Sequence, residues 1–332
     1  MLLHKRILRS IMVGLFFGLM PVSLTHGTQK NRRKLMKNKE NQTVFYYKDD
    51  DLIPELNPHS NGINFLYNNW LGKAARKVIN KHFFSKIIGF YQDTRLSKGA
   101  IKHFIAAYNI DMSDYEKPAN EYSSFNDFFC RKLKEGARPI NKDQTIITAP
   151  ADSKLFVIHN LSSESAFYVK LKKFSLEKFL KNKTLAQEFL GGTLMIFRLA
   201  PADYHRFHFP VDNTPSAPVR IRGVLESVNP NVYNSGVQAL TENERHLMIL
   251  DTKTHGTVLM MPVGAMCVGK IINTYTPNTP HKKGDEAGYF AFGGSTVVLL
   301  FKAGTVQPCK KFIEHSAQGY ETAVKMGEAV TE

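Results

Sequence analysis

The texture of the chain changes at Pro150, and that change limits the folds open to it. Before it, apolar residues recur at helical spacing. Leu66, Trp70, Ala74 and Val78 fall every four residues beside Leu71, Ala75 and Ile79, while Lys73, Lys77 and Lys81 lie on another face. The spacing predicts an amphipathic helix between Ile63 and Phe90, whose apolar stripe either packs on a core or lies on an anionic membrane. A second helix is expected over Lys98 to Tyr108. A third begins at Ser124, where Ser124 and Asp127 have capping-box spacing ahead of Phe128 and Phe129. After Pro150 come short β-branched and aromatic runs broken by Gly, Pro and Asn: Phe167 to Lys170, Thr193 to Leu199, Val219 to Val228, Thr257 to Met261, Val263 to Ile272 and Thr296 to Phe301. A helix from Ser175 to Leu180 interrupts them. Helices first and strands afterwards imply an α+β chain: N-terminal amphipathic helices followed by a mixed, mostly antiparallel β-rich core.

Charge divides the chain further. Nine basic residues against the single acidic Glu40 put +8 of the formal +15 within the first 40 positions. The remainder suits work beside anionic lipid, and no basic motif interleaved with aromatics points to nucleic acid. Residues 1–27 read as a signal peptide or an uncleaved anchor, with a basic start, an apolar run from Ile11 to Leu24, and the small residues Thr25 and Gly27. That run is short for a bilayer span. Residues 28–58, polar and Asn-rich, are expected to be a linker, 59–140 a helical membrane-associating region, and 141–332 a β-rich domain. Cys130, Cys267 and Cys309 are odd in number and lack CxxC spacing, which argues against a disulfide framework or a zinc site.

Three segments put chemically capable residues at turns or inside apolar runs. Asp152 follows a proline turn in APAD, where an Asp commonly caps local backbone. Asp203, His205 and His208 follow an apolar strand in FRLAPADYHRFHFP. Two histidines at that spacing could ligate a metal, act as acid and base, or sit in a loop. No third ligand in a recognisable metal pattern accompanies them. In GYFAFGGSTVVLLF, Gly293, Gly294 and Ser295 interrupt a strand; this is a bulge or turn, or a strained site where the Ser295 hydroxyl reaches the Gly294 carbonyl.

These segments, with FNDFFCRKLKEGARPI (Phe125 to Ile140) and VGAMCVGKI (Val263 to Ile271), resemble in order the phosphatidylserine decarboxylase proenzymes. The resemblance implies an enzyme that cuts itself between Gly294 and Ser295, leaving a β chain to 294 and an α chain of 295–332 that stay together. Its cofactor would be a covalent pyruvoyl group derived from Ser295, with no metal. It implies that Asp152, His208 and Ser295 act as a triad on their own chain, and that His205 is the acid protonating the decarboxylated carbon. The implied partner is phosphatidylserine in an anionic membrane, with the enzyme membrane-associated; a homodimer is left open. The chain departs from the family pattern at Ser153 and Asn213, where glycine is common.

Overall fold

The computed structural model describes residues 43–332 except 59, 81, 163–165, 168–171, 230, 231, 233, 234, 236, 267–269 and 292–294. The leader, Cys267, Gly293 and Gly294 lie outside the described residues. A hairpin of β1 (Phe45–Lys48) and β2 (Asp51–Pro54) comes first, then helices α1 (Ser60–Asn68), α2 (Trp70–Ile79) and α3 (His82–Asp93). Helices α4 (Ala100–Tyr108) and α5 (Phe125–Phe129) complete the helical part. Strand β3 (Ser153–His159), the small pair β4 (Ala166–Phe167) and β5 (Lys172–Lys173), and helices α6 (Leu176–Leu180) and α7 (Lys183–Glu188) lead into β6 (Thr193–Leu199). Next come β7 (Arg206–His208), β8 (Thr214–Pro215), β9 (Val219–Ile221) and the short α8 (Ala239–Glu242). The chain ends with β10 (Arg245–Thr252), β11 (Gly256–Val263), β12 (Ile271–Asn273), β13 (Glu286–Phe290), β14 (Ser295–Phe301), α9 (Lys310–Ala317) and β15 (Glu321–Val324).

One sheet dominates, in the order β2-β1-β15-β3-β6-β14-β11-β10-β8, with β9 also on β10; β12, β13 and β7 form a second, three-stranded sheet. Among these strand pairs only β1 with β15 is parallel. The expected α+β class, mixed and mostly antiparallel, is what the chain adopts. The centre of the large sheet is covered on both faces. On β6 and β14, Met195, Phe197, Val297 and Leu299 join one buried cluster, and Leu194, Ile196, Val298 and Leu300 join another. A strand buried on both sides has no need of polar alternation, which is why Thr296 to Phe301 reads as a continuous apolar run.

Several sequence expectations change. The stretch from residue 43 is not linker: β1 pairs with β15, and Glu55 just past β2 is an ion-pair partner of Arg198 in the sheet. The helix expected from Ile63 to Phe90 is three helices. The Asn69 side chain accepts from the Leu71 backbone N–H at 2.9 Å and so caps a new start. At Gly72 the two helices approach so closely that a Cβ would collide with the Phe65 carbonyl. The apolar stripe packs on the core only in part, through Ile63, Leu66 and the neighbouring Tyr67. Tyr67 is buried, but Trp70 and Phe90 are each 75% exposed, with Phe65, Leu71, Phe83 and Ile87 also exposed. In the β-rich part, the run expected from Val219 to Val228 is strand only to Ile221, and among the described residues of the run from Val263 to Ile272 the strand residues are Val263, Ile271 and Ile272. Elsewhere the Ser124 cap forms as expected, accepting from the Asp127 N–H, and the helix expected from Ser175 to Leu180 begins at Leu176 with Ser175 as its cap. Ser153 and Asn213 do not have positive φ, so neither departure from glycine strains the backbone.

Leu299 is fully buried at the centre of the sheet. Leu299→Ala should lower stability by about 3–5 kcal/mol, read by denaturant unfolding.

Candidate active site

Strand register sets the first member. Ser295 opens β14 opposite Leu199, the last residue of β6, and is completely buried. Beyond Leu199 the chain makes a turn in which the Asp203 N–H donates to the Ala200 carbonyl at 2.9 Å and the Asp203 carboxylate accepts from the Ala200 N–H at 2.7 Å. This turn brings His205 back beside the start of β14, with Nδ1 3.2 Å from Ser295 Oγ. The imidazole is completely buried and stacks on the Phe129 ring with centroids 4.0 Å apart. Its Nε2 lies 3.3 Å from the Pro201 carbonyl. A carbonyl only accepts, so Nε2 carries the proton and Nδ1 is left as the acceptor for the serine hydroxyl. Burial, reinforced by the nearby Arg131 charge, lowers the His205 pKa to about 3, so the ring is neutral at ordinary pH.

His208 ends β7, which pairs with β13. Its Nδ1 lies 2.9 Å from the carbonyl of Gly284, a residue at φ +89 that only glycine adopts readily, and its Nε2 lies 3.1 Å from the Tyr204 hydroxyl. Nδ1 is therefore the donor, and Nε2 accepts from Tyr204. Burial lowers the His208 pKa as well.

Asp152, 3% exposed, stands at the start of β3. Arg138 grips its carboxylate through Nε at 3.0 Å and Nη2 at 2.7 Å, the Met326 N–H donates to it at 2.9 Å, and Lys325 Nζ approaches to 3.4 Å. Burial alone would raise its pKa, but the Arg138 hydrogen bonds and the Lys325 and Arg138 charges outweigh burial and hold it below the usual carboxylate range.

The structure thus brings Ser295 and His205 into contact. His208 and Asp152 are close neighbours through the backbone, since the His208 N–H donates to the Pro150 carbonyl at 2.8 Å. Their side chains bond elsewhere: the imidazole to Tyr204 and Gly284, the carboxylate to Arg138, Lys325 and Met326. Among the described residues no cluster of three or more His, Cys, Asp and Glu side chains could hold a metal ion. Phe129, Arg131, Arg138 and Tyr204 were not singled out from sequence. The available signal was two arginines, Arg131 and Arg138, within the aromatic-rich run from Phe125 to Ile140.

The family model for phosphatidylserine decarboxylase matches residues 125–332, the part of the chain that builds this site. A phosphatidylserine decarboxylase proenzyme of Clostridium botulinum (strain Kyoto, type A2) is 44% identical over 269 residues, covering 81% of this chain and 91% of the relative. Proenzymes of the same description from Fusobacterium nucleatum and Chlamydia trachomatis are 43% and 42% identical, covering 80% and 81% of this chain and 89% of each relative. The chain belongs to the phosphatidylserine decarboxylase family. It is an enzyme, and its family match begins at α5, whose Phe129 stacks on His205.

Because the folded pKa of His205 lies below the value of an unfolded histidine, the unfolded chain binds the extra proton as pH falls below about 6.5. Stability is therefore complete above that pH and lost on acidification towards the folded pKa. Between pH 7 and pH 5 this one group should remove about 2 kcal/mol. In His205→Asn the loss over that interval, read by urea unfolding, should be smaller by that amount.

Proposed function

We propose that the chain is the self-cleaving proenzyme of a pyruvoyl-dependent decarboxylase that converts phosphatidylserine to phosphatidylethanolamine and carbon dioxide, cut between Gly294 and Ser295. The observation that carries this reading is the contact of Ser295 Oγ with the acceptor nitrogen of a neutral, fully buried His205. A serine hydroxyl so held is oriented for attack, and the buried imidazoles of His205 and His208 are the two groups from which its base is drawn. Attack on the Gly294 carbonyl exchanges the peptide bond for an ester. Loss of the Ser295 α-proton then releases Gly294 as a carboxylate and leaves dehydroalanine, which water converts to a pyruvoyl group and ammonia.

The surroundings of Ser295 suit that product. A small uncharged group fits a completely buried strand start beside a neutral imidazole. When formed, it supplies the electron sink needed as carbon dioxide leaves. In this reading Asp152, His208 and Ser295 carry the self-cleavage. His205 takes a proton from the substrate's ammonium group as the amine condenses and returns it to the carbon that loses carbon dioxide, and its low pKa makes the transient imidazolium a strong acid. The His205–Ser295 contact favours a second reading, in which His205 takes the serine proton in the uncut chain.

Both products of the cut would stay together. β14 lies between β6 and β11, β15 lies between β1 and β3, and the Asp152 carboxylate of one product binds Met326 and Lys325 of the other. Membrane docking through the N-terminal helices is supported by the exposed Trp70, Phe83, Phe90 and Leu96 beside the exposed Lys73, Lys77 and Lys86. No helix among the described residues is long and apolar enough to cross a membrane.

Intact mass spectrometry should show Ser295→Ala as one uncut chain without a pyruvoyl group, where the parent gives two chains. His205→Ala should still be cut but release carbon dioxide from phosphatidylserine vesicles on the order of 10²–10⁴-fold more slowly; uncut protein in that variant selects the second reading. Trp70→Ser combined with Phe90→Ser should weaken binding to phosphatidylserine-containing vesicles by about tenfold or more without lowering the melting temperature.

A further inference from the structure

Arg131 follows α5 and is 1% exposed. Among the described residues no carboxylate pairs with it. Its Nη2 donates to the Ala202 carbonyl at 2.7 Å, the Asp203 carbonyl at 3.1 Å and the Tyr115 hydroxyl at 3.1 Å. Nε and Nη1 have no hydrogen-bond acceptor, and the guanidinium carbon lies 4.4 Å from the Tyr115 ring centre and 4.8 Å from that of Phe128. A buried cation without a counter-charge costs several kcal/mol, so a fold that needed only bulk at this point would be more stable with an apolar side chain. The charge and the three-way grip of Nη2 call for another reason.

Both carbonyls that Arg131 grips belong to the turn between β6 and His205. From the other side the same turn is held by Lys154, whose Nζ lies 2.7 and 2.9 Å from the two Asp203 carboxylate oxygens. The turn presents the Pro201 carbonyl to His205 Nε2, and that bond leaves Nδ1 free to accept from Ser295. We propose that Arg131 is a positioning residue for the reaction: by clamping the Ala202 and Asp203 carbonyls it fixes the turn that sets the His205 tautomer and aims Nδ1 at Ser295. This rests on the reading of Ser295 and His205 as reacting groups. The charge has a second effect through space. The groups facing His205 are Arg131 from the end of α5, Lys154 with Asp203 from β3 and the turn, and Ser295 from β14, with Tyr204 and Arg206 as chain neighbours. Of these, Arg131 is the largest charged contribution keeping the ring unprotonated.

The test follows self-cleavage of freshly synthesised full-length chain, and then carbon dioxide release from phosphatidylserine vesicles, from pH 5 to 8. Arg131→Met should slow carbon dioxide release at least tenfold and move the acid limb of its pH profile upward, and should slow self-cleavage as well where His205 is the base for Ser295. Arg131→Lys, which keeps the charge but not the fork, should return the acid limb towards the parent position without restoring the rate. A natively folded Arg131→Met with the parent's rates and pH profile overturns the proposal. Should Arg131→Met not fold, Asp203→Asn loosens the turn from the opposite side: slowing at an unchanged melting temperature supports the proposal, and an unchanged rate overturns it. A parent chain that neither cuts itself nor decarboxylates brings down the functional reading and this proposal with it. A working parent with an indifferent Arg131→Met brings down the proposal alone.

Discussion

The antiparallel pairing of β6 with β14 is the constraint on which the rest depends. Seven residue pairs run in unbroken register from Ser295 opposite Leu199 to Phe301 opposite Thr193, and every residue of both strands is buried. A slip by one residue would turn Val297 and Leu299 to the face of Val298 and Leu300, and two closely packed cores would have to be rebuilt. Register is therefore strongly specified, and Ser295 is delivered to the point where β6 ends and the His205 turn begins. β14 is therefore the strand the fold can least spare.

Around that apolar centre the charges are unusually internal. Arg198 on β6 pairs with Glu321 on β15 and Glu55 beyond β2, while Lys154 on β3 pairs with Asp203 in the turn. Each is more than four-fifths buried at its side chain. Desolvating such groups is costly, and removing one partner leaves the other stranded, so the set links the N-terminal hairpin, the C-terminal strand and the His205 turn into one cooperative unit. Arg138 on Asp152 is a second clasp of the same kind, and the Asp152 carboxylate it holds also accepts from Met326, beyond the Gly294–Ser295 bond.

Much of this was readable from residue order. The change from helical to strand-like spacing at Pro150 predicts the α+β class, Ser124 announces its cap, and Thr193 to Leu199 is bounded correctly because an all-buried strand is a compact apolar run with turn residues at each end. Single periodicity misled over Ile63 to Phe90. Four-residue spacing continues through Asn69, and nothing local to the sequence shows that Asn69 turns its side chain onto the next helix or that Gly72 lets the two helices touch. The segment from residue 43 was misread for a related reason. Its strands are short and half-exposed, and their stability comes from pairing with β15, more than 270 residues away.

For the site, residue order alone marks Asp152, His205, His208 and Ser295 as candidates, because titratable or nucleophilic side chains are placed there against turns and apolar strands. Which of them meet depends on the packing of distant strands. The three-residue separation of His205 and His208 says nothing of their ring partners, yet in the fold one imidazole faces Ser295 and the other Tyr204 and Gly284. Asp152 likewise meets Arg138 and Met326, the latter 174 positions away. Hydrogen-bond partners and desolvation are properties of how strands far apart in sequence pack together, so tautomers, ionisation and contacts emerge only when the sheet closes.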